Sequence, residues 1–141
     1  MKIIIYATLL IGAMLAAILY LGDRRSQKGN ASAYQRISAE EAKKQMDNTA
    51  EFILLDVRTP QEFAEQHIPG AILITDHQLS AEAEKTLLNK DTPLFVYCRS
   101  GQRSAGAAKQ LVRMGYTQVY DFGGILNWPY ETVSGSEPQL P

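Results

Sequence analysis

Leu94-Phe95-Val96-Tyr97-Cys98-Arg99-Ser100-Gly101-Gln102-Arg103-Ser104-Ala105-Gly106-Ala107-Ala108 is the stretch that decides the reading of this chain. A short apolar run delivers Cys98, the single cysteine among 141 residues. Five residues follow, all polar or glycine, and a helical pattern then opens at Ser104. That order predicts Cys98 in a turn between a strand and the start of a helix. Backbone N–H groups in such a turn point inward, and the helix dipole adds partial positive charge. Arg99 and Arg103 add two full charges, and no acid occurs between Asp91 and Arg103. Each effect favours thiolate over thiol, and the thiolate is the nucleophile. A lone cysteine closing an apolar strand is more often a small buried hydrophobe. Two arginines and a glycine nearby argue against that here, because arginines resist desolvation unless an anion is present. The segment reads as a nucleophile or anion site.

Outward from it, helix and strand signals alternate. Ser38-Ala39-Glu40-Glu41 is a capping box that opens a helix to about Met46. Residues 52–56, four apolar residues ending on Asp56, read as a buried strand. Thr59-Pro60-Gln61-Glu62 places an N-cap before a proline and starts a short helix to about Gln66. Pro69-Gly70 is a turn and residues 71–74 a short strand. Ser80-Ala81-Glu82 opens a third helix to about Asn89. The helix from Ser104 carries an apolar stripe of Ala105, Ala108, Leu111 and Val112, and Gly115 is its C′ glycine. Residues 119–122 form a further strand, followed by Gly123-Gly124 and a segment around Trp128. This alternation predicts an α/β domain whose largely parallel central sheet is flanked by helices. Ligands of such sheets bind at the carboxyl ends of strands, where Cys98 lies.

Residues 3–22 carry no charge. Twenty residues as a helix span about 30 Å, the thickness of a bilayer core. The run is longer than a signal-peptide core and lacks a small-x-small cleavage site, so residues 1–22 are expected to be an uncleaved transmembrane anchor. Tyr6 and Tyr20 stand near its ends as interfacial aromatics. Arg24, Arg25, Lys28 and Arg36 follow it, against Lys2 before it, and the positive-inside rule favours a cytoplasmic over a periplasmic or extracellular domain. Residues 23–36 read as a polar linker, residues 37–134 as the domain and residues 135–141 as a loose tail. The net charge of −1 gives no reason to expect nucleic acid. One cysteine excludes an internal disulfide and a cysteine-cluster metal site, and His67 and His77 are too few to hold a metal.

The chain resembles the single-domain rhodaneses, a sulfurtransferase family. Four pieces in order carry the resemblance: Leu55-Asp56-Val57-Arg58-Thr59-Pro60-Gln61-Glu62-Phe63; His67-Ile68-Pro69-Gly70-Ala71; the loop from Val96 to Ser104; and Gly115-Tyr116 with Gly123-Gly124 and Trp128. Gln66 departs from the glycine usual before the histidine, at a helix end remote from the chemistry. The resemblance implies that Cys98 takes a sulfane sulfur from a donor such as thiosulfate or a persulfide, becomes a persulfide itself, and passes the sulfur to a thiol or to cyanide. It implies an active-site loop of Arg99, Ser100, Gly101, Gln102 and Arg103, and no cofactor or metal. Arg99 resembles the arginine of thiosulfate-using members and would attract a dianion. Four residues separate Cys98 from Arg103, where a phosphatase of similar Cys-to-Arg type has five, and the shorter loop suits a sulfur atom better than a phosphate.

Other residues have plainer readings. Asp56 and Arg58 are expected to support the sheet end as an ion pair, with Arg58 on Asp56 or Glu62. His67 is expected to be structural, Trp128 to pack near the site, and Gly101 to serve through positive φ or close approach to the sulfur. Beside sulfur transfer to small molecules, the chain could act as a sulfur-carrier or redox module delivering persulfide sulfur to a partner protein. A phosphatase-like or arsenate-reducing enzyme is disfavoured by loop length. An inactive binding module is disfavoured by the intact cysteine and arginines.

Overall fold

The computed structural model describes residues 32–136. The expected membrane span, residues 3–22, lies outside the described residues, as do residues 137–141. Among the described residues no helix is long and apolar enough to cross a membrane.

Five strands, β1 (Tyr34–Arg36), β2 (Ile53–Asp56), β3 (Ile72–Leu73), β4 (Leu94–Cys98) and β5 (Val119–Gly124), form one sheet in the order β1-β5-β4-β2-β3. Every pairing in it is parallel. Four helices alternate with the strands: α1 (Ala39–Asp47), α2 (Pro60–Glu65), α3 (Leu79–Thr86) and α4 (Gln102–Arg113), with a 3₁₀ turn at Ile125–Asn127. A parallel ladder needs a crossover at each step, and those crossovers cover both faces.

The central strand β4 is buried along its whole length, and its period of two divides the core. Leu94, Val96 and Cys98 face the layer that holds Leu79, Ala83, Ala107, Ala108 and Leu111 of α3 and α4. Phe95 and Tyr97 face the opposite layer with Ala39, Ala42 and Met46 of α1, Phe63 of α2 and Trp128. The helix starts obey local chemistry. The Ser38 hydroxyl accepts from Glu41 N–H at 3.1 Å. Thr59 and Glu62 satisfy each other's backbone N–H groups in a full capping box ahead of Pro60.

Several boundaries differ from expectation. Residues 23–36 are not linker throughout: Tyr34–Arg36 form β1 and pair with residues 119–121 of β5. Nothing in Tyr34-Gln35-Arg36 itself has the apolar alternation of a strand, and the open edge of β5 creates it. α4 begins at Gln102 rather than Ser104, and its buried residues are Ser104, Ala107, Ala108 and Leu111, with Val112 partly buried against the same core. Ala105, which the sequence pattern assigned to the core, is only partly buried. α3 runs from Leu79 and ends at Thr86, short of Asn89. The tail is tied down as far as Gly135, whose N–H donates to Ala64 C=O at 2.9 Å. His67 exchanges both backbone hydrogen bonds with Val133, at 2.7 and 2.8 Å. Its ring stacks on Phe63 with 3.8 Å between centroids, and Nδ1 meets the Phe63 carbonyl at 2.8 Å. These contacts give it a structural role.

A chain shortened to begin at Ile37 loses β1 and uncovers the β5 edge, whereas one beginning at Ala33 keeps it. The first is expected to unfold at lower denaturant concentration than the second, measured by urea titration of tryptophan fluorescence.

Candidate active site

Cys98 ends β4 at the carboxyl edge of the sheet and is 1% exposed. The chain then turns through Arg99, Ser100 and Gly101 into α4. Gly101 has φ of 102°, in the left-handed region that costs a residue with a side chain. That turn points the Gly101 N–H at Sγ, 3.1 Å away. A Cβ on Gly101 would also come within 3.1 Å of Arg36 Nη2 and of Gly123 Cα. The loop is held from the other side by β5. A Cβ on Gly124 would sit 2.1 Å from the Arg99 carbonyl oxygen, so only glycine admits this approach. Leu126 N–H donates to the same carbonyl at 3.3 Å.

Burial by itself pushes the Cys98 thiol up. Hydrogen bonds from the Ser104 N–H, the contact with the Ser104 hydroxyl, and hydrogen bonds from the Gly101 and Ser100 N–H groups outweigh it and bring the thiol below its ordinary value. Because α4 starts two residues early, Ser104 lies in its first turn, and Ser104 Oγ is 3.7 Å from Sγ.

The loop arginines separate. Arg103 makes a bidentate pair with Glu62 of α2, Nη1 to Oε2 at 2.8 Å and Nη2 to Oε1 at 2.7 Å. It ties the loop to α2 rather than standing open to an anion. Arg99 is exposed and makes no ion pair among the described residues. It lines a cleft of about 250 Å³ together with Arg58, Glu62, Glu65, Gln66, Ile125 and Leu126. Of the two partners expected for Arg58, Asp56 holds it. Arg58 Nε lies 2.9 and 3.0 Å from the two Asp56 oxygens, Nη2 reaches Oδ2 at 2.7 Å, and a further Nη2 contact at 2.6 Å holds the Gln66 carbonyl. Both residues are buried, and the guanidinium lies over the Tyr97 ring. Ser100 and Gln102 are exposed on the loop. Trp128 packs against Phe122 and Tyr130, at 5.4 and 5.0 Å between centroids.

Ser104 and Asp121 are part of this site although sequence reasoning singled out neither as a functional residue. Ser104 Oγ donates to Asp121 Oδ1 at 2.7 Å, and Gly123 N–H donates to the same oxygen at 3.0 Å. Asp121 is fully buried. The signal was one acid inside the apolar run of residues 119–122, where an acid is out of place without a partner.

The residues matched by the rhodanese-like domain model are 38–130. The chain belongs to the rhodanese-like family. A thiosulfate sulfurtransferase GlpE of Ectopseudomonas mendocina is 37% identical over 111 residues, covering 75% of this chain and 98% of that protein. A putative sulfur carrier protein YrkF of Bacillus subtilis is 31% identical over 122 residues, covering 86% of this chain, and this chain spans 64% of its length. Among solved structures, a rhodanese with anions from E. coli aligns with a TM-score of 0.56 at 31% identity, covering 59% of this chain and 98% of that one.

The Glu62–Arg103 pair gives the rhodanese loop a pH signature. Hydrogen bonds from Arg103 and then Thr59, against opposing burial, hold the Glu62 carboxyl down at about 2 instead of 4.5. A carboxyl lowered by folding stabilises the fold above its unfolded value, and that stability is lost as pH falls through the folded value. Glu62→Gln is therefore expected to melt below the parent at neutral pH. The difference should close as pH drops from about 4.5 toward 2, measured by thermal unfolding across that range.

Proposed function

We propose that this chain is a sulfurtransferase that carries sulfur as a persulfide on Cys98. The observation that carries the reading is the buried Sγ facing loop N–H groups, with Gly101 N at 3.1 Å. Fixed donors around a buried sulfur favour an anion there, whether thiolate or terminal persulfide. With thiosulfate as donor, the Cys98 thiolate attacks the outer sulfur. The new S–S bond forms as the old one breaks, and sulfite leaves with the bonding electron pair. A thiolate or cyanide then attacks the terminal sulfur, and Cys98 leaves as thiolate. Both steps conserve charge and need no general base, metal or cofactor. Arg99, next to Cys98 in sequence and without an ion pair among the described residues, lines a cleft and could draw in an anionic donor. The name of the GlpE relative agrees with this reading.

A second acceptor class has its own support. Leu126 is 67% exposed on the rim of the cleft beside Ile125. An exposed leucine beside Arg99, the residue after Cys98, offers a contact for a partner protein carrying a thiol or persulfide, and the YrkF relative is named as a putative sulfur carrier. In either case, mass spectrometry of the protein after thiosulfate should show the gain of one sulfur atom on Cys98. Cys98→Ser should show none and should lose thiosulfate:cyanide transfer by several orders of magnitude while remaining folded. Retained transfer in that variant would remove the assignment.

The uncharged run of residues 3–22 supports a single-pass anchor, and the cations after it support a domain on the cytoplasmic side. The full chain is expected to stay with membranes through carbonate extraction. A C-terminal alkaline phosphatase fusion is expected to be inactive in cells. An active fusion would place the domain on the other side.

A further inference from the structure

Asp121 is a fully buried carboxylate in a strand that is otherwise apolar or glycine apart from Tyr120, and it gathers four partners. Oδ1 accepts from Ser104 Oγ at 2.7 Å and from Gly123 N–H at 3.0 Å. Oδ2 accepts from Tyr34 OH at 3.3 Å and lies 3.6 Å from Arg36 Nη1. The Gly123 bond fixes an irregularity in the ladder: Val96 pairs with Asp121, but Cys98 pairs with Gly124, so β5 spends one extra residue there. That much is structural, and an asparagine would do it equally well.

The Ser104 hydroxyl makes the carboxylate more than a brace. It has one hydrogen and three acceptors in reach: Asp121 Oδ1 at 2.7 Å, the Gly123 carbonyl at 3.1 Å and Cys98 Sγ at 3.7 Å. Given to sulfur, that hydrogen stabilises the thiolate. Given to Asp121, it leaves an oxygen lone pair toward sulfur, which suits the protonated thiol. A charged acceptor at 2.7 Å is the stronger claimant. We propose that Asp121 is a positioning residue for the chemistry of Cys98, competing with the sulfur for the single hydrogen of Ser104 and so setting how readily the sulfur becomes a nucleophile. The competition has a use, because a thiolate made too acidic loses nucleophilicity and the best attacking sulfur titrates near ambient pH. The loop N–H groups pull toward thiolate, and the buried carboxylate limits that pull.

The other charged groups around the sulfur are accounted for separately. Arg103 is neutralised by Glu62 and also feels Asp76. Arg58 is neutralised by Asp56. Arg99 is exposed. Arg36, on β1, partly balances Asp121 from the sheet edge.

This inference rests on Cys98 being the sulfur-transferring nucleophile, but its test reads the sulfur without any transfer. The chain has one cysteine, so the ultraviolet absorbance of its thiolate against pH, with the full-length Cys98→Ser protein as blank, titrates that group alone. Asp121→Asn keeps an acceptor for Gly123 N–H and removes the charge, and the midpoint should fall by about one pH unit. Ser104→Ala should raise it. Adding Asp121→Asn to Ser104→Ala should shift it by less than half as much as in the parent, the coupling expected of residues acting through one hydroxyl. Arg36→Gln, at a mostly exposed position, should raise the midpoint by leaving the carboxylate a stronger claimant. An unchanged midpoint in folded Asp121→Asn, or an equal shift with Ser104 absent, overturns the proposal. If Asp121→Asn does not fold, Arg36→Gln decides it, and an unchanged or lower midpoint overturns it. Shifts as described in a protein that never gains sulfur from thiosulfate would overturn the transfer reading and leave this one standing.

Discussion

A sulfur atom held almost out of water at the end of the central strand is the constraint around which the rest of this domain is arranged. Cys98 is 1% exposed, and burial alone would keep it a neutral thiol. A thiolate there therefore has to be held by hydrogen-bond donors that cannot move away. The fold supplies them by ending β4 at the cysteine, reversing the chain at Gly101 and starting α4 at once. Each of those features needs a neighbour. The left-handed turn rests against Gly123, and the Arg99 carbonyl is clamped by Gly124 and Leu126. The loop lies this close to β5 because two glycines of that strand let a backbone lie where side chains normally would.

Charge is distributed under the same constraint. Of the arginines Arg58, Arg99 and Arg103, two are committed to carboxylates: Arg58 to Asp56 in the buried sheet end, and Arg103 to Glu62 on α2. Burying a guanidinium without such a partner would cost several kcal/mol. The loop accordingly presents less positive charge than its sequence suggests, and among the described residues Arg99 is the one of the three with no ion pair. Glu65, which lines the cleft with Arg99, offsets part of that field.

The legible parts of the molecule were those written in adjacent residues. Both side-chain caps, Ser38 and Thr59, come from residues three apart. The burial of β4 is encoded in its apolar run, and the turn at Cys98 in the polar and glycine residues after it. The parts that were not legible depend on residues far apart in the chain. β1 exists because β5 has a free edge, and nothing within Tyr34–Arg36 announces it. Arg103 finds Glu62 at a separation of 41 residues, and Ser104 finds Asp121 at 17. The stripe of α4 was legible in Ala108, Leu111 and Val112, which reach the core, while its first turn was not, because the helix starts at a glycine whose conformation rather than its side chain makes the start. Asp121 was the one long-range feature with a local trace, an acid where the strand pattern has no room for one.

Glu62 is a single side chain serving two structures at once. Its carboxylate closes the capping box with Thr59 and at the same time holds both terminal nitrogens of Arg103. Helix start and active-site loop thus share one group, and changes at Thr59, Glu62 and Arg103 will not combine as independent increments. Replacing Glu62 removes a contact from the helix start and from the loop in one step, so what a change at Thr59 or Arg103 costs depends on whether that shared carboxylate is still there.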